Sequence, residues 1–107
     1  MEHRLNRRIA MRTPVLVYRR GQRVAVTRMR DLCAEGVFLE TKVSGLHFND
    51  YVELAMPLLG LGARVPAVVA HVARDGLGLM LDPDSAEVRR FLRRIATSAP
   101  QAQRVVA

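Results

Sequence analysis

Apolar and polar residues alternate along most of the chain. Stretches with this period of two predict strands, because successive side chains of a strand point to opposite faces. The pattern predicts six short strands, over residues 14–18, 23–30, 37–40, 51–56, 64–74 and 77–81. Turn signals separate them, of which Asp75-Gly76 is the strongest hairpin signal. Pro66 is expected at a strand edge or bulge, because proline cannot donate to a ladder.

The period changes near the end of the chain and there predicts one amphipathic helix. Apolar residues at i, i+3, i+4 and i+7 form a single stripe. This stripe consists of Val88, Phe91, Leu92 and Ile95. Asp84 followed by Glu87 resembles a capping box and predicts where the helix begins.

Six strands followed by one helix predict an all-β fold with a C-terminal helix. We expect a six-stranded antiparallel β-barrel, because closure removes the exposed edges that an open sheet would leave. The helix would cover one opening or flank of the barrel. The predicted organisation is a basic N-terminal arm over residues 1–12, the barrel and helix over 13–97, and a flexible tail over 98–107.

The length of 107 residues predicts one soluble domain. Its net charge of +7 is unevenly distributed along the chain. Residues 1–30 contain nine arginines and one acid, whereas residues 31–84 contain three basic and eight acidic residues. Sixteen of the 17 basic residues are arginine, whose planar fork matches phosphates and base edges. The basic ends of the chain therefore favour an anionic partner. A genome composition that favours arginine codons would explain the arginine content equally well.

Cysteine usage and the absence of long apolar runs favour a cytoplasmic protein without membrane insertion. Cys33 is the one cysteine, which fits a reducing compartment. Residues 1–8 have no apolar signal region, and the longest uncharged stretch, 54–63, is too short to cross a bilayer.

No catalytic or metal-binding constellation stands out, so we expect neither an enzyme nor a metal site. His3, His47 and His71 lack partners at metal-ligand spacing, and surface or packed histidines explain them better. Nothing in the sequence supplies a convincing base for Cys33.

Two short constellations remain. The first places Arg4 and Arg8 four residues apart with Arg7 beside the second, and a solvated basic terminus would explain it alone. The second runs from Asp31 through Cys33 to Gly36, and alone it is explained by a turn in which glycine supplies a positive φ.

Together these constellations, followed by a short strand, a small barrel and a helix, resemble the PilZ domain family. Its signature is Arg-x-x-x-Arg followed by Asp/Asn-x-Ser-x-x-Gly. Arg4 and Arg8 match the first motif, and Asp31 and Gly36 match the second. Cys33 stands where the family has serine, and a thiol donates and accepts hydrogen bonds only weakly. Losing that bond would cost about 1 kcal/mol, which leaves the affinity open.

The resemblance implies a six-stranded barrel that binds cyclic di-GMP, in some cases as a stacked, intercalated dimer. The implied ligand-binding residues are Arg4, Arg7, Arg8, Asp31, Cys33 and Gly36. The arginines would bind guanine edges and phosphates, and the Asp31 carboxylate would accept from guanine N1–H and N2–H. Gly36 would allow close approach of the ligand or a strand to the backbone.

The leading hypothesis is a cyclic di-GMP receptor or adaptor that relays the signal to a protein effector in trans by ordering its arginine arm. The first alternative is a PilZ-like adaptor that binds protein without nucleotide. The second is a small nucleic-acid-binding barrel, which the composition disfavours because few aromatic residues are available for stacking.

Overall fold

A computed structural model of the chain describes residues 8–33, 35–42, 45–57, 64–97 and 105–106. Seven strands and one helix follow each other along these residues. They are β1 (Arg8–Arg19), β2 (Gln22–Cys33), β3 (Gly36–Glu40), β4 (Tyr51–Ala55), β5 (Val65–Ala73), β6 (Gly76–Leu81), α1 (Ala86–Thr97) and β7 (Val105–Val106).

The first six strands form a closed antiparallel barrel, as predicted. Their order around the barrel is β2-β3-β6-β5-β4-β1, and pairing between β1 and β2 closes it. Pro66 lies opposite Glu53 of β4, one residue before the ladder between β5 and β6 begins at Ala67. This position fits a residue that has no backbone N–H to donate. Nothing helical in the described part of the chain has the length and apolar run that crossing a bilayer requires.

β1 begins earlier than the sequence pattern indicated. Residues 8–12 were assigned to the arm, but they belong to β1 and continue its ladder with β2. Ile9 and Met11 point into the barrel and are buried, while Ala10 between them and Arg12 after Met11 face outwards. The alternation was therefore present, and the density of arginines concealed it.

The core combines the inner faces of the strands with one stripe of α1. Val88, Phe91 and Ile95 of the predicted stripe are fully buried, and Leu92 packs against the same cluster. The helix thus supplies the aromatic side chain that the barrel interior lacks. The prediction for this stripe is confirmed.

The helix cap differs from the prediction by one residue. Ser85 Oγ accepts a hydrogen bond from the backbone N–H of Val88 at 3.2 Å, which is the N-cap interaction. The Ser85 hydroxyl also bonds to Glu87 Oε1 at 3.1 Å. Asp84 instead uses its backbone N–H to bond Asp82 Oδ1 at 2.9 Å. Serine caps because its side chain lies one residue closer to the open N–H groups of the first turn.

The segment predicted as a flexible tail contains a short strand. Val105 and Val106 in β7 pair antiparallel with Ile9 and Arg8 of β1. The end of the chain therefore returns to the first residues of the barrel. β7 pairs with the edge of β1 opposite β2, beyond the part of that edge that pairs with β4.

Candidate ligand-binding site

The outer face of the barrel changes its pattern at a bulge in β2. Met29 and Leu32 both point into the barrel although they are three residues apart. The register shift between Met29 and Asp31, where Asp31 pairs with Phe38 of β3, makes Arg30 the extra residue. Arg30 and Asp31 consequently both face outwards. A regular strand would have sent them to opposite faces.

Asp31 is a buried carboxylate on the outer wall. It lies between Ala10 of β1 and Phe38 of β3 in the strand register. Arg30 Nε donates to Asp31 Oδ2 at 3.3 Å. Because desolvating a carboxylate is costly, this group needs strong donors in every state of the site.

Phe38 forms the apolar floor beside this carboxylate. The Arg30 guanidinium carbon lies 4.0 Å from the centroid of the Phe38 ring. A Cβ atom at Gly76 would lie 2.6 Å from carbons of the same ring, so Gly76 must lack a side chain for the ring to fit. We call Arg30, Asp31 and Phe38 the wall cluster.

Gly36 and Cys33 continue the wall next to this cluster. The two residues are paired across β2 and β3. A Cβ atom at Gly36 would collide with the carbonyl oxygen of Leu79, so glycine is required for the close approach of β6. A turn does lie at residue 35, but Gly36 is not among the residues with positive φ, so the expected role of this glycine in the turn is wrong. Cys33 is half-buried and occupies an outward position.

The predicted arginines are placed only in part. Arg4 and Arg7 lie outside the described residues. The main chain of Arg8 begins β1, one residue beyond the pair formed by Ile9 and Leu32. This position puts its backbone at the end of the barrel where Cys33 and Gly36 lie.

Two arginine contacts on the wall were missed by sequence reasoning. Arg12 binds Glu40 across β2 through two parallel contacts, Nη2 to Oε1 at 3.1 Å and Nη1 to Oε2 at 3.3 Å. The signal was present, because Arg8 and Arg12 repeat the four-residue spacing. The role of Arg30 had no comparable signal, since it depends on the bulge.

A separate cleft of about 510 Å³ opens at the other end of β1. Its lining comes from the β1–β2 turn, the residues before β4 and the start of β4, and consists of Tyr18, Arg19, Arg20, Gly21, Asn49, Asp50, Tyr51 and Glu53. Arg19 Nη1 lies 3.5 Å from Asp50 Oδ2. This cleft contains none of the predicted site residues.

An arginine next to the cleft stacks on one of the aromatic rings that line it. Arg64 lies with its guanidinium carbon 3.7 Å from the centroid of Tyr18 and with Nη1 3.8 Å from Glu53 Oε1. We call Arg64, Glu53 and Tyr18 the cleft cluster. Partial burial raises the pKa of Tyr51, and the negative charge of Glu53 raises it further.

Chemically, the outer wall can donate from guanidinium groups and accept through one buried carboxylate. Within the described residues, no group of histidine, cysteine, aspartate or glutamate is arranged to hold a metal ion. These features define a small β-barrel with a candidate ligand-binding surface on its outer wall. A protein-family model described as the PilZ domain matches residues 2–98, and the chain belongs to this family. The comparison with curated proteins found no match.

Proposed function

We propose that this PilZ domain is a cyclic di-GMP receptor that relays the signal to a protein partner in trans. The family consists in general of cyclic di-GMP-binding receptors. The observation that carries the proposal is the buried, outward-facing carboxylate of Asp31. It lies beside an arginine and next to the strand that begins at Arg8. A carboxylate in this position is suited to a ligand that brings N–H donors and negative charge together.

Cyclic di-GMP has that combination of groups. The guanine N1–H and N2–H groups would donate to Asp31, and the Hoogsteen edge and the phosphates would accept from Arg4, Arg7 and Arg8. The Cys33 thiol would stand near the bound ligand as a weak hydrogen-bonding group. Ordering of residues 1–7 over the wall would create the surface that a partner reads.

Calorimetric titration of cyclic di-GMP into the full chain tests this function. We expect Arg4→Ala and Arg8→Ala each to weaken binding by about tenfold or more, because each removes a charge-assisted contact. Cys33→Ser should keep or improve the affinity. Arg23→Ala is the matched control, since this exposed arginine lies at the far end of β2. Unchanged affinity in both Arg4→Ala and Arg8→Ala would reject the arginine clamp.

The relay requires a protein partner that distinguishes the domain with bound cyclic di-GMP from the domain without it. Affinity capture with and without cyclic di-GMP should recover a partner whose yield changes with the nucleotide. Recovery of the same partner in equal yield would favour the nucleotide-independent adaptor. Binding of single-stranded nucleic acid with a steep salt dependence would instead favour the nucleic-acid-binding alternative.

A further inference from the structure

The bulge in β2 adds to the wall an arginine that the Arg-x-x-x-Arg motif does not include. We propose that Arg30 is a further ligand-binding residue. Its guanidinium, which contacts Asp31, would move onto a phosphate when the cyclic dinucleotide binds. This inference rests on the proposed function, because it assigns one more residue to the same site.

The position of Arg30 follows from the inserted residue. In an uninterrupted strand, Arg30 and Asp31 would face opposite sides of the sheet. The register shift between Met29 and Asp31 turns both outwards. The bulge therefore brings a cation to the wall beside the carboxylate that would bind guanine.

The contacts of Arg30 hold it in place and leave part of it accessible. Its Nε lies 3.3 Å from Asp31 Oδ2, and its Nη1 lies 3.6 Å from Asp75 Oδ2 in the β5–β6 hairpin. The guanidinium carbon lies 4.0 Å from the centroid of the Phe38 ring. The side chain nevertheless remains partly exposed, so a ligand on the wall can reach it.

The two carboxylates that contact Arg30 differ in what must replace the arginine when it moves away. Asp75 is largely exposed, so water replaces the arginine there at little cost. Asp31 is buried, and its carboxylate cannot lose a donor without a replacement. Guanine N1–H and N2–H are such replacements. Arg30 then has its fork free for a phosphate oxygen pair while its flat face stays on Phe38.

A competing interpretation treats Arg30 only as a clamp between β2 and the β5–β6 hairpin. In that case, removing either end of the Arg30–Asp75 contact should weaken ligand binding equally. If Arg30 itself contacts the ligand, Asp75→Asn should leave the affinity within about twofold, because an exposed ion pair contributes little.

The experiment is calorimetric titration of cyclic di-GMP into the wild type, Arg30→Gln and Arg30→Lys at low and high salt. Arg30→Gln should weaken binding by about tenfold and reduce its salt dependence, because one charge-assisted contact is lost. Arg30→Lys should weaken binding several-fold with the salt dependence of the wild type, because it keeps the charge but loses the planar fork.

Arg28→Gln is the matched control, since Arg28 is an exposed, outward-facing arginine two positions earlier in β2, opposite Glu40. We expect its affinity to stay near that of the wild type. Equal affinity of Arg30→Gln and the wild type would overturn the assignment, as would equal losses in Arg30→Gln and Asp75→Asn. If Arg30→Gln does not fold, wild-type affinity in Arg30→Lys overturns it. A wild type that does not bind would overturn the proposed function as well.

Discussion

The wall cluster and the cleft cluster contain the same three kinds of group in different surroundings. In each, an arginine stacks on an aromatic ring beside a carboxylate. The two arginine side chains are equally accessible, with exposed fractions of 42% and 41%. The carboxylates differ, because the side chain of Asp31 is 9% exposed whereas that of Glu53 is 38% exposed.

This difference distinguishes the candidate binding site from an ordinary surface contact. An exposed carboxylate can exchange its arginine for water, so the cleft cluster requires no ligand. A buried carboxylate must always have strong donors, so a ligand that displaces the arginine must supply them. We therefore expect the wall cluster to favour ligands with paired N–H donors.

The largest expected difference between the clusters is in affinity. Asp31→Ala should weaken cyclic di-GMP binding by about a hundredfold, because it removes both the acceptor oxygens and the negative charge. Glu53→Gln should leave the affinity within about twofold. Calorimetry measures both, with circular dichroism to verify folding. Similar affinities for the two variants would contradict the distinction between the clusters.

Two glycines extend the comparison to stability. Gly36→Ala should destabilise the fold by about 2 kcal/mol or more, because the new methyl group would meet the Leu79 carbonyl in the wall. Gly21 has a φ of 81° and open space around it, so Gly21→Ala should cost only about 1 kcal/mol of backbone strain. Urea unfolding compares them. A greater loss in Gly21→Ala would show that the strands can separate at Gly36.

Two threonines on the inner faces of β1 and β2 offer a test with a smaller expected effect on stability. Thr27 Oγ1 donates to the Val15 carbonyl at 2.8 Å, whereas the buried Thr13 Oγ1 has no hydrogen-bond partner among the described residues. Thr27→Val should therefore destabilise the protein by about 1 kcal/mol, and Thr13→Val should stabilise it by a similar amount. The sign of the shift in the unfolding midpoint shows whether each hydroxyl stabilises or destabilises the fold. Equal destabilisation by both would mean that the Thr13 hydroxyl is satisfied.

The smallest effect concerns Tyr51 in the cleft. Partial burial and then Glu53 raise its pKa, so the fold favours the neutral phenol. This contribution to stability is complete below the pKa of the unfolded chain and is lost as the pH rises through the folded value. Glu53→Gln should lower the Tyr51 pKa towards its usual value. Ultraviolet titration in a Tyr18→Phe background measures this change, and an unaltered pKa would mean that Glu53 has no influence there.

The sequence pattern predicted the strands and the helix because both depend on local periodicity, and the barrel followed from the need to close the edges of the sheet. The prediction of β1 failed where arginines surround the alternating apolar residues, as at Ile9 and Met11, which begin the inner face of the strand. The helix stripe was unambiguous, but its cap was placed at Asp84 instead of Ser85. Adjacent polar residues compete for the same cap, and only the backbone geometry decides between them.

The candidate site could be predicted as motifs but not as an arrangement. Asp31 and Gly36 were recognisable by their match to the family motif, whereas the partnership of Asp31 with Arg30 depends on the bulge. One sign of that bulge was available, since Met29 and Leu32 are apolar and three apart. The fit of Phe38 against Gly76 involves strands distant in sequence, so no local pattern indicates it.

The most direct test maps the amide resonances that change when cyclic di-GMP is added to the isotopically labelled protein. We expect the shifts to concentrate on the wall, over residues 8–10, 30–33 and 36–38. The amides that line the cleft, over residues 18–21 and 49–53, should remain unchanged. Shifts confined to the cleft, with the wall unaffected, would contradict the central claim.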